Sequence, residues 1–493
     1  MPVSTATASP ESDAVAGRPA SDAWGTSEIE RFQNRSRSPV WVIYLAIAVL
    51  ALSFLTASSF EDWVCAALIE VAAFCPLFVW ARRSVLGLPI MPIYALMCLA
   101  YYAMPFAGGH PATEEYDLAA KLEAAGTVAA MILVMTLIWM KLAKPAPLRL
   151  HVVKMLAPGK RTVWVLFVFL IGAVLFQSNV LLYLIDVTSG FYGVLRAVLL
   201  TLGMLSLFCL SFFFGSGYLK GVSRYLFLGL AVILLSYQMA SLYLIVAAQF
   251  GFAALIGFFL GSGRVPWKLL VSVAAILTVL QAGKMDMRLK YSESDGPPPS
   301  TMELLGEWVT TGVANAIDPD HIVSNQTVPL AHRISLIQML LRTQARAPDE
   351  VEYLYGSSYV GIPLLLVPRI IWPERPTTSE LLIQLNEHYG LLDRESAEGV
   401  SIGWGLLPEA YANFGLLGCL LLGAVLGLII GFIQRLCGRF SILSARGMIG
   451  MLVIFGLMGM EASMAQLVTT MMQSLVPVGL LASMVMQPRG VMT

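Results

Sequence analysis

Residues that could do chemistry are sparse, and they gather in one stretch, 284–412. His332 and Arg333 are adjacent there, Arg369 and Arg375 flank Trp372 and Pro373, and Glu409 stands four residues before Asn413. An arginine fork binds two oxygens of an anion at once and stays charged. An imidazole or a carboxylate can take a proton near neutral pH. Arg333 beside His332 keeps that imidazole in its base form. The spacing of Glu409 and Asn413 turns both to one face of a helix. Together these groups would hold an anion and accept a proton beside it. The stretch carries 17 acidic and nine basic residues, a charge of −8. It is no general anion trap, so a few placed arginines must act locally. Arg288, just past the preceding apolar run, and Arg342 are further candidates. No P-loop, dinucleotide fingerprint, HExxH or GxSxG occurs, and the cysteines show no metal-site spacing.

The elements that must position these groups are apolar. Of 493 residues 57% are hydrophobic and 13% charged, with a mean hydropathy of +0.75. Soluble domains carry about 25% charge, so a bilayer is the solvent for most of this chain. A span needs about 20 apolar residues. Runs at 40–57, 63–81, 87–107, 124–140, 163–184, 193–215, 266–283, 413–434, 446–461 and 464–485 each predict one. The run 225–262 predicts two, turning near Ser241. The total is twelve, with nine spans over 40–283 and three over 413–485. Residues 1–39 read as a disordered cytoplasmic tail and 486–493 as a cytoplasmic C-terminus. Trp41, Trp63, Trp80, Trp139, Trp164 and Trp267 fall at or near span ends, where interfacial tryptophan is favoured. With the N-terminus inside, 20 basic residues lie on the inner side and 2 on the outer, leaving aside the long stretch. That stretch then faces outward.

Within it, 301–315 and 328–345 read as amphipathic helices. The first has Leu305, Trp308, Val309 and Val313 near one face, and the second a stripe of Leu330, Ile334, Ile337 and Leu341. Residues 359–371 are apolar but too short to span, which suits a re-entrant or interfacial segment. Glu70 and Arg196 are the clear ionisable residues inside spans and, by default, functional hypotheses; a pairing between them is one option. Arg196, near the outer end of its span, could line a substrate site. Gly423, Gly427 and Gly431 recur every fourth residue and predict a helix-packing face. The six cysteines read as apolar fillers.

PRIIWPERP (368–376), Ser401 with Gly403, and LPEAYANFGLLG (407–418) resemble the O-antigen and exopolysaccharide polymerase (Wzy) family. That family has a Pro-Arg-x-x-Trp-Pro-x-Lys-Pro segment, from which this chain departs by Arg375, and a Glu-x-Tyr-x-Asn-Phe-Gly lead-in to the next span. The topology resembles it along the whole chain, the motifs over about 50 residues. The resemblance implies an all-α polytopic membrane protein with about 12 transmembrane helices, GT-C-like, with one large helical periplasmic loop. It implies a metal-independent glycosyltransferase without cofactor, joining undecaprenyl-diphosphate-linked oligosaccharide repeat units for surface polysaccharide at the periplasmic face of the bacterial inner membrane. The partners implied are the lipid-linked donor and acceptor, the bilayer, a chain-length regulator and a flippase, and no nucleic acid. Arg333, Arg369, His332 and Glu409 are then the catalytic candidates. Arg375, Arg288, Arg342, Arg196 and Asn413 would bind substrate, while Trp372, Trp404 and Tyr411 either stack on sugars or anchor the interface. An O-antigen ligase shares the donor and the arginine requirement and remains an alternative. A lipid-linked oligosaccharide flippase is the alternative from another class; almost uncharged spans and the lack of a visible repeat of halves speak against it.

Overall fold

The computed structural model describes residues 39–144, 150–180, 189–242, 244–292, 300–317, 335–367, 371–372, 374–392, 402–438 and 440–492. Its helices are α1 Val40–Thr56, α2 Phe60–Ala81, α3 Ile90–Ala107, α4 Leu118–Leu142, α5 Lys160–Gln177, α6 Ser189–Gly215, α7 Val222–Ala240, α8 Leu244–Ser262 and α9 Trp267–Ser292. In the long stretch follow α10 Thr301–Ile317, α11 Ile337–Arg346 and α12 Thr378–His388, and the chain closes with α13 Leu406–Cys437, α14 Ala445–Leu457 and α15 Met464–Met484. Among the described residues nine helices are long and apolar enough to cross a membrane; α1, α14 and Val246–Ser262 within α8 are apolar but shorter. The chain is a multi-pass membrane protein of the helical class. Each predicted span overlaps one of these helices, although α13 begins at Leu406, ahead of the expected 413, and α5 ends at Gln177, short of the expected 184; the turn expected near Ser241 is there, with Leu242 at a φ of 59°.

Polar caps start several helices. Ser59 Oγ accepts from the Asp62 N–H at 3.0 Å to open α2. Ser463 and Gln466 close a capping box on α15, and Thr377 and Glu380 one on α12. The glycine stripe of α13 lies on α4: a Cβ at Gly423 would meet Met131 O at 2.7 Å, and one at Gly427 would meet Met135 O at 2.7 Å. The expected packing face is therefore the contact between these two helices. Five of the six cysteines are buried.

The connections sort to two ends. At one end, strand β1 (Leu150–Leu156) pairs antiparallel with β2 (Met486–Met492), Leu156 N–H donates to Leu443 O, and Gln434 Nε2 donates to Leu86 O at 2.6 Å. This small sheet departs from an all-helical reading. Val153, Met155 and Leu156 of β1 are buried. At the other end a buried ion pair joins α2 to α4, with Lys121 Nζ 2.7 Å from Asp62 Oδ1 and hydroxyls of Ser58 and Ser59 on Asp62 Oδ2. The stretch after α10 packs on this second end. The connections holding Leu86, β1 and Leu443, which the charge pattern puts on one side of the membrane, thus meet the C-terminal strand at the first end.

Two expectations are corrected. The buried stripe of α10 is Leu304, Trp308 and Gly312, while Val309 and Val313 are exposed. Gly312 decides this, because its backbone lies so close to α9 that a Cβ would meet Val279 O at 2.2 Å. Glu70 does not pair with Arg196: it accepts from Ser53 Oγ at 3.1 Å across α1 and α2, while Arg196 is exposed on α6.

Candidate active site at the second end of the bundle

Helix α13 is two helices in one. Phe414 and Gly415 leave helical geometry, Gly415 at a φ of 60° and ψ of −148°, which only glycine adopts readily. The eight residues Leu406–Asn413 before that break are buried. Glu409 Oε1 accepts from Ser358 Oγ at 3.2 Å, and Oε2 accepts the Met464 N–H at 2.7 Å, at the first turn of α15. A carboxylate is well placed there, since helix N-termini carry free N–H groups and positive dipole character. Asn413 Nδ2 donates to Ser358 Oγ and to Glu409 O, both at 2.8 Å, and its Oδ1 accepts the Gly356 N–H at 3.0 Å. The Leu354 and Tyr355 N–H groups donate to Ala412 O and Asn413 O, each at 3.0 Å. One turn of α13 thus ties the loop strand 353–358 to the start of α15. Glu409 is 2% exposed and Asn413 fully buried, so their shared face is a hub within the protein.

Further ties hold the loop down. A π turn, Leu99–Ala103, interrupts α3 just before Pro105. Proline has no N–H to return to the carbonyl four residues earlier, and Tyr101 O instead accepts the Leu336 N–H at 2.9 Å, ahead of α11. Gln344 on α11 donates to Thr127 Oγ1 of α4 at 3.3 Å, and the Tyr411 hydroxyl donates to Glu123 Oε1 at 3.3 Å. Glu123 was not among the residues singled out from sequence, where it stands just before the predicted span 124–140.

The remaining candidates divide. Arg342 is exposed on α11 and makes no ion pair among the described residues. It lies near Tyr116, whose hydroxyl is pushed up by burial and by Glu115, with Arg342 opposing. Arg375 is half-buried and donates to Leu365 O beside Trp372, which is 39% exposed. Trp404 is wholly buried: its Nε1 donates to Asn386 Oδ1 at 2.6 Å and its ring meets Tyr389 edge-on at 5.3 Å. It is a core residue here and offers no face for stacking. Tyr411 is also buried; its hydroxyl donates to Glu123 and its ring meets Tyr353 edge-on at 6.3 Å. Arg288 sits on α9 in the lobe that α9 and α10 build around Leu280 and Trp308. His332, Arg333 and Arg369 lie outside the described residues. Where a re-entrant or interfacial segment was expected over 359–371, the described residues to 367 make short turns at Ser357–Val360 and Ile362–Leu365, with Val360, Leu364 and Leu366 exposed.

Residues 309–483 match a family described as a domain of unknown function, DUF8712. The match runs from within α10 to within α15 and so contains the whole hub. No curated protein and no solved structure matches the chain.

Proposed function

We propose that this chain polymerises undecaprenyl-diphosphate-linked oligosaccharide repeat units for surface polysaccharide, at the periplasmic face of the bacterial inner membrane. The observation that carries the reading is the hub. The Glu-x-Tyr-x-Asn-Phe-Gly sequence on which the resemblance rests is the turn of α13 that fastens the long loop over the bundle end. The charge pattern makes the end with the small sheet cytoplasmic, together with both termini, and the hub end periplasmic.

In the proposed reaction a hydroxyl of the acceptor's sugar attacks the anomeric carbon of the donor glycan. The bond from that carbon to the diphosphate oxygen breaks, and undecaprenyl diphosphate leaves with the electron pair. Negative charge grows on the leaving group, and arginines placed beside it stabilise the transition state. Arg342 and Arg375 stand at this end for that role, with Arg333 and Arg369 assigned to it by the motif. The hydroxyl proton passes to a base, for which His332 is assigned. Glu409, with both carboxylate oxygens engaged by Ser358 and Met464, acts by holding the loop in place. No metal is required in this scheme.

The test is the surface glycan of cells lacking the gene. Single repeat units on lipid with long chains lost, restored by the wild-type chain but not by Arg333→Ala or Arg369→Ala, is the expected result. Long chains accumulating on undecaprenyl diphosphate would indicate a ligase, units held at the cytoplasmic face a flippase, and an unchanged profile would remove the reading.

A further inference from the structure

Three tyrosine rings at the hub end touch in succession, and the last one bonds a carboxylate. Tyr355 and Tyr353 meet edge-on with centroids 6.2 Å apart. Tyr353 and Tyr411 meet edge-on at 6.3 Å, and the Tyr411 hydroxyl donates to Glu123 at 3.3 Å. The first two belong to the loop strand, the third to α13 and the carboxylate to α4, so three distant parts of the chain build the row.

The outermost ring is held at a conformational cost. Tyr355 has a φ of 46°, a left-handed backbone that bulky residues rarely adopt. Three N–H groups, of Leu354, Tyr355 and Gly356, bond to Ala412 and Asn413 and keep it there. The result is not a buried ring: Tyr355 is 72% exposed. Strain kept up by several hydrogen bonds in order to present a side chain outward points to use of that side chain.

We propose that Tyr355 and Glu123, linked through the half-buried Tyr353 and the buried Tyr411, form a saccharide subsite. The ring of Tyr355 takes the apolar C–H face of a pyranose, and the exposed Glu123 carboxylate accepts hydrogen bonds from sugar hydroxyls. Aromatic faces supply contact area at small entropic cost, and bonds to an ionised acceptor are among the stronger ones. The carboxylate repels a diphosphate, so this subsite holds glycan away from the charged lipid end, which belongs nearer the arginines. A tyrosine serving only as an interfacial anchor needs neither a left-handed backbone nor a carboxylate at the end of the row. The identity of the glycan rests on the polymerase reading; the subsite itself does not.

The test uses the full chain in nanodiscs and oligosaccharides released from the cells' own surface polysaccharide by partial acid hydrolysis. Binding is followed by calorimetry and by saturation-transfer NMR. Tyr355→Phe should bind as wild type, whereas Tyr355→Gly and Glu123→Gln should each bind about tenfold more weakly, the scale of one lost contact. Tyr355→Gly should also melt no lower than wild type, since glycine relieves the left-handed backbone. Wild-type affinity in Tyr355→Gly, or no binding to the wild-type chain, would overturn the subsite. In cells, glycan chains lost on deletion but fully restored by Tyr355→Gly and Glu123→Gln would overturn the subsite and leave the polymerase standing. Binding in nanodiscs with an unchanged glycan profile on deletion would support the subsite and remove the polymerase.

Discussion

Glu409 and Asn413, one turn apart on α13, meet over a single hydroxyl: Ser358 Oγ donates to Glu409 at 3.2 Å and accepts from Asn413 at 2.8 Å. The loop strand and the long helix therefore share one buried polar network, which the Met464 N–H extends to α15. Such a network stabilises only while every group keeps its partner.

Removing one partner should accordingly cost more than one hydrogen bond. Glu409→Ala leaves the Ser358 hydroxyl and the Met464 N–H without their acceptor, at about 1–3 kcal/mol for each buried group. Thermal unfolding in micelles should fall by several degrees for Glu409→Ala and for Asn413→Ala. The double variant should fall by less than the sum, because the two share Ser358. Additive losses would show that the residues act separately.

Gly415 should tolerate no side chain. Its φ of 60° and ψ of −148° are costly for any other residue, and a Cβ would stand 2.8 Å from the Tyr353 hydroxyl. Gly415→Ala should lower stability by about 1–3 kcal/mol and loosen the loop strand. Protease sensitivity near Tyr353 should rise, and a variant as resistant as wild type would refute the break in α13.

The ion pair between Asp62 and Lys121 is buried, with side chains 5% and 9% exposed. Cutting one partner leaves a charge without compensation, at about 3–5 kcal/mol. Asp62→Asn and Lys121→Met should each reduce the amount of folded protein in the membrane, and the double variant should recover much of it. Failure of the double variant to recover would mean that the serine contacts of Asp62 matter more than the charge.

Hydrogen bonds from Lys290 and from the Tyr291 hydroxyl hold the Glu307 carboxyl below its ordinary range. A lowered value favours the folded form wherever the unfolded carboxyl would ionise. The clasp between α9 and α10 is thus fully present above about pH 4.3 and is lost as pH falls through the lowered value. Amide exchange in α10 should quicken over that acid range and be quicker at neutral pH in Glu307→Gln. Exchange that is the same in Glu307→Gln and wild type would show that the clasp holds nothing.

Much of the architecture was legible from residue order alone. Apolar run length set the helices, because a backbone in lipid must satisfy its own hydrogen bonds. The split of 225–262 and the glycine face of α13 could likewise be read, since polar punctuation and a four-residue repeat are local signals. The i, i+4 placement of Glu409 and Asn413 also predicted one shared face correctly. What local pattern could not say was whether that face met solvent or protein.

Burial and long-range pairing were decided only by the tertiary structure. Trp404 read as either a stacking ring or an interfacial anchor and proved to be a core residue, because Asn386 of α12 and the adjoining Tyr389 close over it. The pairing of β1 with β2 joins residues more than 300 positions apart and left no trace in either segment. Glu123 gained its meaning only when Tyr411 arrived beside it. Sequence determines which segments leave water and with what period they turn. Which polar groups then meet depends on how the helices pack, and that is a property of the whole chain.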